Sequence, residues 1–227
     1  MKTLTQTRLA ALVLPALLLP AVAQADDFAA HVPAGWQLTH TVRGDLNGDG
    51  RTDAVLVLQQ QDPAKIVGNK NLGPKQLNTN PRVLKVLFKE ARGYRLAAQS
   101  DELIPPEHNT EAPCLQDPLL DGDITADKGL LKVTLHYWLS CGGWGVNHET
   151  YTFRWQQNRF RLIGLDHMEF MRNSGDKTSY SYNYLSGRKK VITGDNMFEG
   201  GKPRTRWEKL PKLPPYYLDG PLPGPVD

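Results

Sequence analysis

The chain has 227 residues, with 27 Lys and Arg against 24 Asp and Glu, and it contains only two cysteines. This length allows one domain with a core of its own. The nearly balanced charge leaves no clustered basic excess, so the composition argues against a nucleic-acid-binding protein.

The first 25 residues predict a secretory signal peptide. Lys2 and Arg8 precede an apolar run over 9–22, and the run ends in AQA, a cleavage site placed before Asp26. A membrane helix is the alternative, but the run is short and two prolines interrupt it. We therefore expect an exported bacterial protein, periplasmic or secreted, with no membrane span after cleavage.

Downstream of this leader the sequence predicts an all-β fold, because no helical period of 3.6 residues is sustained. Segments rich in β-branched and aromatic residues are bounded by Gly, Asn, Asp or Pro. We expect antiparallel, blade-like meanders packed into one compact domain over 26–210, with long polar loops. The predicted strands are Trp36–Val42, Ala54–Gln59, Arg82–Lys89, Tyr94–Ser100, Leu130–Leu139, His148–Gln156, Arg159–Phe170 and Thr178–Tyr184.

The connections between these strands follow from turn residues. Hairpin turns are predicted at 90–93 and at Gln157–Asn158. The polar stretch over 60–81 has no periodicity and is expected to be an exposed, mobile excursion, and 104–123 is a second excursion. The prolines of 211–227 predict an extended, loosely packed tail, with a ligand for a partner as the alternative.

Two short basic groups, 188–190 and 202–206, are predicted to lie on solvated faces of strands or loops.

The stretch GDLNGDGRTD, residues 44–53, predicts a structural calcium site at the start of a strand. Asp45, Asn47, Asp49 and Asp53 fall at loop positions 1, 3, 5 and 9, and Arg51 at position 7 offers its backbone carbonyl. Two intervening glycines allow the tight curl. A set of oxygen ligands without His or Cys selects Ca²⁺ or Mg²⁺, and several carboxylates favour Ca²⁺.

Position 12 of this loop is Leu56, inside the run AVLVL, whereas an EF-hand places Glu there between helices. The loop instead resembles the calcium loops of FG-GAP or VCBS-type repeats of integrin-like proteins, in which D-x-N-x-D-G-x-x-D leads into a buried strand. An ion-free Asx turn is the alternative. The cation is favoured because three carboxylates within nine residues repel each other.

Most of the mature chain resembles a group of uncharacterised bacterial exported proteins that carry one such repeat. This resemblance implies a secreted or periplasmic, β-rich protein and supplies no activity. The acidic stretch over 117–133 is either a degenerate second repeat or an acidic turn, and its spacing favours the turn.

Cys114 and Cys141 predict one disulfide, because paired cysteines in an exported chain tend to be oxidised. A bridge across this spacing would contribute about 3 kcal/mol in the chain-entropy estimate. A cysteine nucleophile is the alternative.

The stretch YWLSCGGWG suggests a rigid turn that presents Tyr137, Trp138 and Trp144 as a possible binding surface; inward packing of these aromatics is favoured over exposure. His136 and His148 can meet across neighbouring strands, as ordinary strand histidines or as a zinc site, and the former is favoured. Three carboxylates, Glu149, Asp166 and Glu169, are interpreted as surface charges and not as a glycosidase pair.

No catalytic motif emerges, so no catalytic residue is predicted. We expect a non-enzymatic, calcium-stabilised protein of the cell envelope that binds a protein or glycan partner. A cell-envelope hydrolase that acts on glycan or peptide, with a site assembled from distant loops, is the alternative.

Overall fold

The computed structural model describes residues 28–224, and the predicted signal peptide lies outside them. Within that range the regular structure is β-strand, with two short 3-10 turns. The described range contains no helical segment that could span a bilayer. The strands are β1 Trp36–Gly44, β2 Asp53–Gln60, β3 Ile66–Gly68, β4 Gln76–Asn78, β5 Arg82–Lys89, β6 Tyr94–Ser100, β7 Asp123–Asp127, β8 Leu130–Trp138, β9 Gly145–Gln156, β10 Arg159–Met171, β11 Asp176–Asn183, β12 Arg188–Asn196 and β13 Arg204–Lys209.

The all-β prediction is confirmed, and each of the eight predicted strands overlaps an observed one. Strands β3, β4, β7, β12 and β13 were not predicted. These strands are short, or they carry charged residues on alternate positions, so their apolar pattern is weak.

A four-stranded antiparallel sheet, in the order β1-β2-β5-β6, forms the first layer. Strand β2 is buried on both faces, which explains its unbroken apolar run. Val55 and Val57 face the other large sheet, whereas Ala54 and Leu56 belong to a second cluster with Phe28.

A seven-stranded antiparallel meander forms the second layer, with β7 to β13 side by side in chain order. Its β9–β10 turn lies at the predicted place, where Gln157 and Asn158 have φ of 52° and 60°, as a type I′ turn requires. Tyr151 and Phe153 alternate onto the face that packs against the first sheet. We call this face the core face and the opposite one the outer face.

The two sheets meet where β1 passes β7. A Cβ atom at Gly44 would overlap the backbone carbonyl of Ala126, so the glycine allows this close approach. A second connection is the bidentate pair between Arg82 on β5 and Asp117, whose N···O distances are both 2.6 Å. This pair holds the polar segment 101–122 against the first sheet.

The predicted excursion between β2 and β5 is more ordered than expected. It contains the antiparallel pair β3–β4, and Asn80 is 2% exposed. The amide of Asn80 accepts from the Asp62 backbone N–H at 2.9 Å and donates to the Asp62 carbonyl at 3.1 Å. Side-chain to backbone bonds of this kind give no apolar period, so the sequence did not reveal them.

We call the described residues 210–224 the C-terminal segment. The prediction of a loosely packed tail is wrong for 216–222, whereas 211–215 are exposed. Leu162 donates its backbone N–H to Tyr216, and Leu218 donates to Phe160, both at 2.9 Å. Leu218 is fully buried in the core. The prolines exclude a central strand, but the apolar residues between them still cover part of the core face.

The prediction of a solvated 188–190 group is wrong for Lys189, which is 5% exposed. Alternate residues of a strand point to opposite faces. Lys189 therefore lies on the core face, whereas its neighbours Arg188 and Lys190 point to the outer face. Its ammonium lies 4.9 Å from the ring centre of Tyr180 and 5.1 Å from that of Tyr182. The aromatic rings thus partly compensate the buried charge.

The contact between the sheets predicts that Gly44→Ala destabilises the protein, because the added methyl group overlaps the Ala126 backbone. Overpacking of this kind costs about 1–3 kcal/mol in the free energy of unfolding, measurable by urea denaturation. Gly68→Ala is the control, since a Cβ there meets no atom within 4 Å. Equal stabilities for the two variants would contradict this account of the contact.

Candidate functional site

The predicted calcium loop is the connection between β1 and β2, and its side chains turn inward. Gly48 and Gly50 both have φ of +78°, which gives the chain its tight curl. The Asp45 carboxylate accepts the backbone N–H of Gly48 at 2.8 Å and that of Gly50 at 2.9 Å. Asn47 accepts from the backbone N–H of Asp49 at 2.9 Å. The oxygens at positions 1 and 3 therefore face the interior of the loop.

Asp53, the ninth position, has a different place. It is fully buried, and its two carboxylate oxygens accept the backbone N–H groups of Leu46 and Lys89, each at 2.9 Å. Leu46 itself is 2% exposed and belongs to the core. Asp53 thus ties the loop to the end of β5.

Burial is the main cause that raises the pKa of Asp53. The hydrogen bonds from Lys89 and Leu46 oppose this shift, and the charges of Asp49 and Asp45 add to it. The other two loop carboxylates therefore lie close enough to disfavour the ionisation of Asp53. A bound cation would relieve that repulsion.

The fit of a cation to this loop is partial. Within residues 28–224, no set of three or more His, Cys, Asp and Glu side chains is arranged to hold a metal ion. Besides the buried Asp53, the loop offers the carboxylates of Asp45 and Asp49, and the Asn47 amide oxygen is a third possible ligand atom. A carboxylate oxygen that accepts one N–H keeps a second lone pair. Calcium binding by Asp45, Asn47, Asp49, Asp53 and the Arg51 carbonyl stays a prediction.

The predicted disulfide is present. Cys114 and Cys141 are bonded, with their Cα atoms 5.5 Å apart. Beside the bridge, the carbonyl of Cys114 accepts hydrogen bonds from the backbone N–H of Ser140 at 2.8 Å and from its hydroxyl at 2.9 Å. The polar segment 101–122 is thereby fastened to the turn that joins β8 to β9.

The three aromatics of the predicted binding surface do not share one face. Tyr137 and Trp138 are successive residues of β8 and point in opposite directions. Trp138 and Trp144 both contact the guanidinium of Arg172, at 4.1 and 5.9 Å from their ring centres. Arg172 also donates to the carbonyls of Leu139 and Gly143. Tyr137 lies instead on the core face, where burial and the charge of Glu149 raise its pKa.

Trp144 is one of several exposed apolar side chains at one end of the seven-stranded sheet. The β8–β9, β10–β11 and β12–β13 connections all lie at this end. We call it the aromatic end, and its most exposed members are Trp144 at 58% and Phe198 at 64%. Leu139, Met171 and Met197 are also exposed here. Apolar side chains gathered in this way are typical of an interaction surface.

The two strand histidines meet as expected. His136 and His148 are directly paired across β8 and β9, and their ring centres lie 4.2 Å apart on the outer face. The Asp121 carboxylate is 3.6 Å from Nδ1 of His136. Burial, followed by the charge of His136, lowers the pKa of His148. This lowered pKa favours a neutral imidazole at physiological pH.

The interpretation of Glu149 as a surface charge is wrong. It lies on the core face, where the Tyr151 hydroxyl donates to its carboxylate at 3.0 Å and where it is 3.7 Å from Nδ1 of His167. Glu169 lies 3.9 Å from Nε2 of the same imidazole, whereas Asp166 points to the outer face. Because side chains alternate along β9, Glu149 lies on the same face as Tyr151, and this alternation is visible in the sequence.

Comparison with known proteins finds no family model, no curated protein and no solved structure that matches the chain.

The raised pKa of Asp53 predicts a pH-dependent stability in the presence of a chelator. The pKa of Asp53 in the folded state lies above the unfolded value of about 3.9. The contribution of Asp53 to the free energy of unfolding is therefore fully present below the unfolded pKa, and it is lost as pH rises through the folded pKa. The stability of the wild type relative to Asp53→Asn should therefore decrease from about pH 3 to pH 7. Urea denaturation at a series of pH values measures this difference.

The control for this experiment is Asp127→Asn, since the side chain of Asp127 is 75% exposed. Its stability difference from the wild type should change little with pH. A difference for Asp53→Asn that stays flat or grows with pH would contradict the assigned cause.

Proposed function

We propose that the chain is a non-enzymatic, calcium-stabilised β-protein of the bacterial envelope or exterior, which binds a protein or glycan partner through its aromatic end. The observation that carries this proposal is the set of exposed apolar side chains on three neighbouring turns. Trp, Arg and other large side chains dominate the binding energy of protein interfaces. Trp144 and Arg172 provide both types at one place.

The surroundings of this surface support a binding role, because they hold it in one shape. The disulfide at Cys141 and the hydrogen bonds from Arg172 fix the β8–β9 turn. A surface that is ordered before it binds loses less conformational entropy on association. The disulfide also agrees with an oxidising compartment outside the cytoplasm.

A cell-envelope hydrolase is the alternative, and His167 between Glu149 and Glu169 is the observation that favours it. A buried imidazole beside carboxylates is the kind of group that general acid–base catalysis uses. The binding role is preferred because His167 is only 8% exposed and because the Glu149 carboxylate already accepts a hydrogen bond from the Tyr151 hydroxyl. A substrate would have to displace these contacts.

The calcium part of the proposal rests on the loop's resemblance to FG-GAP repeats and on the mutual repulsion of its carboxylates. Extracellular calcium sites bind with a Kd of about 10⁻⁴ to 10⁻³ M. At about 10 mM Ca²⁺ such a site stabilises the folded state by about 1.4–2.7 kcal/mol, which raises the Tm of a domain of this size by about 3–10 °C.

We predict that Asp49→Ala abolishes this rise in Tm between chelator and 10 mM Ca²⁺, since Asp49 is an exposed loop carboxylate with no role in the core. Differential scanning calorimetry measures the shift. Glu199→Ala removes an exposed carboxylate in the β12–β13 connection, at the opposite end of the seven-stranded sheet, and should keep the full response. A wild type with the same Tm in both conditions would refute the calcium site.

For the partner, we predict that Trp144→Ala combined with Phe198→Ala reduces binding to envelope material. The immobilised chain is incubated with a solubilised bacterial envelope fraction, and the retained material is quantified. Loss of hot-spot side chains worth about 2 kcal/mol should lower retention by at least about tenfold.

The matched control is Leu96→Ala combined with Leu185→Ala, because these side chains are 45% and 48% exposed and lie on β6 and in the β11–β12 turn, away from the aromatic end. Protease treatment of the envelope fraction distinguishes the partners: retention that disappears indicates a protein, and retention that persists indicates a glycan. Equal retention by the double variant and its control would show that the aromatic end is not the binding surface.

A further inference from the structure

An open cavity lies between the β11–β12 turn and the C-terminal segment, at the end of the seven-stranded sheet opposite to the aromatic end. It is lined by residues 184–187, by residues 209–216 and by Arg161 of β10. Its volume is about 420 Å³, within the range of small-molecule sites. Lys209 and Lys212 at its rim are exposed, so a molecule in solution can reach it.

All charged side chains that line this cavity are basic. They are Arg161, Lys209 and Lys212, and no Asp or Glu is among the described residues that line it. Within residues 28–224 these three side chains form no ion pair with a carboxylate. We call this space the basic cavity. Cations that are gathered without opposite charges produce a positive potential, which attracts an anion.

Two carboxylates near the basic cavity already have basic partners. Glu208 lies on the core-face side of β13, where Arg206 contacts it at 2.6 Å and Lys189 at 4.0 Å. Asp219 is paired with Arg159 at 2.6 Å. Neither carboxylate lines the basic cavity, so the positive charges of the cavity remain available to an external anion.

Backbone pairing fixes Arg161 on both sides. It lies opposite Arg154 of β9 and opposite Tyr217 of the C-terminal segment. Its side chain is partly buried, and within residues 28–224 its guanidinium has no hydrogen-bond acceptor. A guanidinium has five N–H donors, and a partly buried one without acceptors is unfavourable. An oxyanion in the basic cavity would supply acceptors to this guanidinium.

The number of cations favours a phosphate group over a carboxylate. A phosphate monoester carries about −1.5 to −2 charges at pH 7 and three strong acceptor oxygens, whereas a carboxylate carries a single charge and two oxygens. Arginine can bind phosphate through two parallel N–H···O bonds.

The rest of the cavity fits an organic group attached to that phosphate. A phosphate group alone is too small to fill a volume of about 420 Å³. The wall beside the cations is apolar and consists of Leu210, Pro211, Leu213, Pro214 and Pro215. Burial of an apolar group against this wall would add to the electrostatic attraction.

We propose that the basic cavity binds a phosphate monoester with a small apolar organic group. The phosphate accepts hydrogen bonds from the guanidinium of Arg161 and contacts the ammonium groups of Lys209 and Lys212. The organic group packs against the leucine and proline side chains of the C-terminal segment. This site is separate from the aromatic end and from the calcium loop, so it goes beyond the proposed function.

The test uses phenyl phosphate and benzoate, which share the ring and differ in the anionic group, as probes of the full chain at pH 7 without added divalent cations. Binding is followed by amide chemical shifts in NMR spectra and by calorimetry. We expect saturable binding of phenyl phosphate, with the largest shifts at Arg161, 184–187 and 209–213. Benzoate should bind more weakly, because it carries less charge. The affinity for phenyl phosphate should decrease as the salt concentration rises.

In Arg161→Gln the affinity for phenyl phosphate should fall at least about tenfold, the range of a hydrogen bond to a charged group. Because this guanidinium has no acceptor in the fold, the Tm of the variant should not fall, which separates a binding role from a structural one. Lys212→Gln, at an exposed position, should weaken binding to a smaller extent. Arg204→Gln is the matched control, since it removes an exposed arginine at the other end of β13, and it should bind as the wild type does.

The phosphate can belong to a soluble molecule or to a lipid headgroup, and sedimentation with vesicles distinguishes the two sources. A lipid source predicts that the wild type, but not Arg161→Gln, sediments more with vesicles that contain phosphatidic acid than with phosphatidylcholine alone. A soluble source predicts binding of phenyl phosphate without this difference. The proposal is overturned if phenyl phosphate does not saturate, if the shifts map outside the basic cavity, or if Arg161→Gln and Arg204→Gln weaken binding equally.

Discussion

The buried carboxylate of Asp53 is the contact on which the β1–β2 connection depends. A charge in the core is unfavourable unless it is hydrogen-bonded, and here two backbone N–H groups, from Leu46 and Lys89, supply those bonds. One of them fixes the loop and the other fixes the end of β5. The bond from the Leu46 backbone N–H to Asp53 also places the Leu46 side chain in the core between the sheets. An acidic loop on the surface is thereby coupled to the packing of the apolar core.

The seven-stranded sheet is wider than the sheet that packs against it, so its core face needs further cover. The segment 101–122 supplies Leu103, Ile104 and Leu119 to the core. The C-terminal segment adds Leu218, with Tyr216 and Leu222 packed against the same cluster. Each covering segment is fastened by a specific bond, the disulfide for the first and the backbone pairing with β10 for the second. These two segments without regular secondary structure thus cover the part of the core face that the four-stranded sheet does not reach.

Much of the fold could be predicted from the sequence, because the strands near the centre of each sheet carry unbroken or alternating apolar residues. Strands β5 and β6 begin and end as predicted. The edge strand β13 could not be recognised, since its residues are mostly exposed and charged. Lys189 was missed for a related reason, because its burial depends on the rings of Tyr180 and Tyr182 on the neighbouring strand, and a single sequence does not show which strands are neighbours. Glu149 differs, since its alternation with Tyr151 along one strand already indicates the core face.

The predicted loop ligands illustrate the same limit at the candidate site. From the spacing alone, Asp53 is a loop ligand equivalent to Asp45 and Asn47. Only the fold shows that Asp53 is fully buried and hydrogen-bonded to backbone groups at the edge of the core. The fold further places this loop next to Ala126, near the β7–β8 turn, at the end of the large sheet opposite to Trp144. A cation bound there would be remote from the aromatic end. Calcium would then act on partner binding only through the stability of the domain, so the two halves of the proposed function can fail separately.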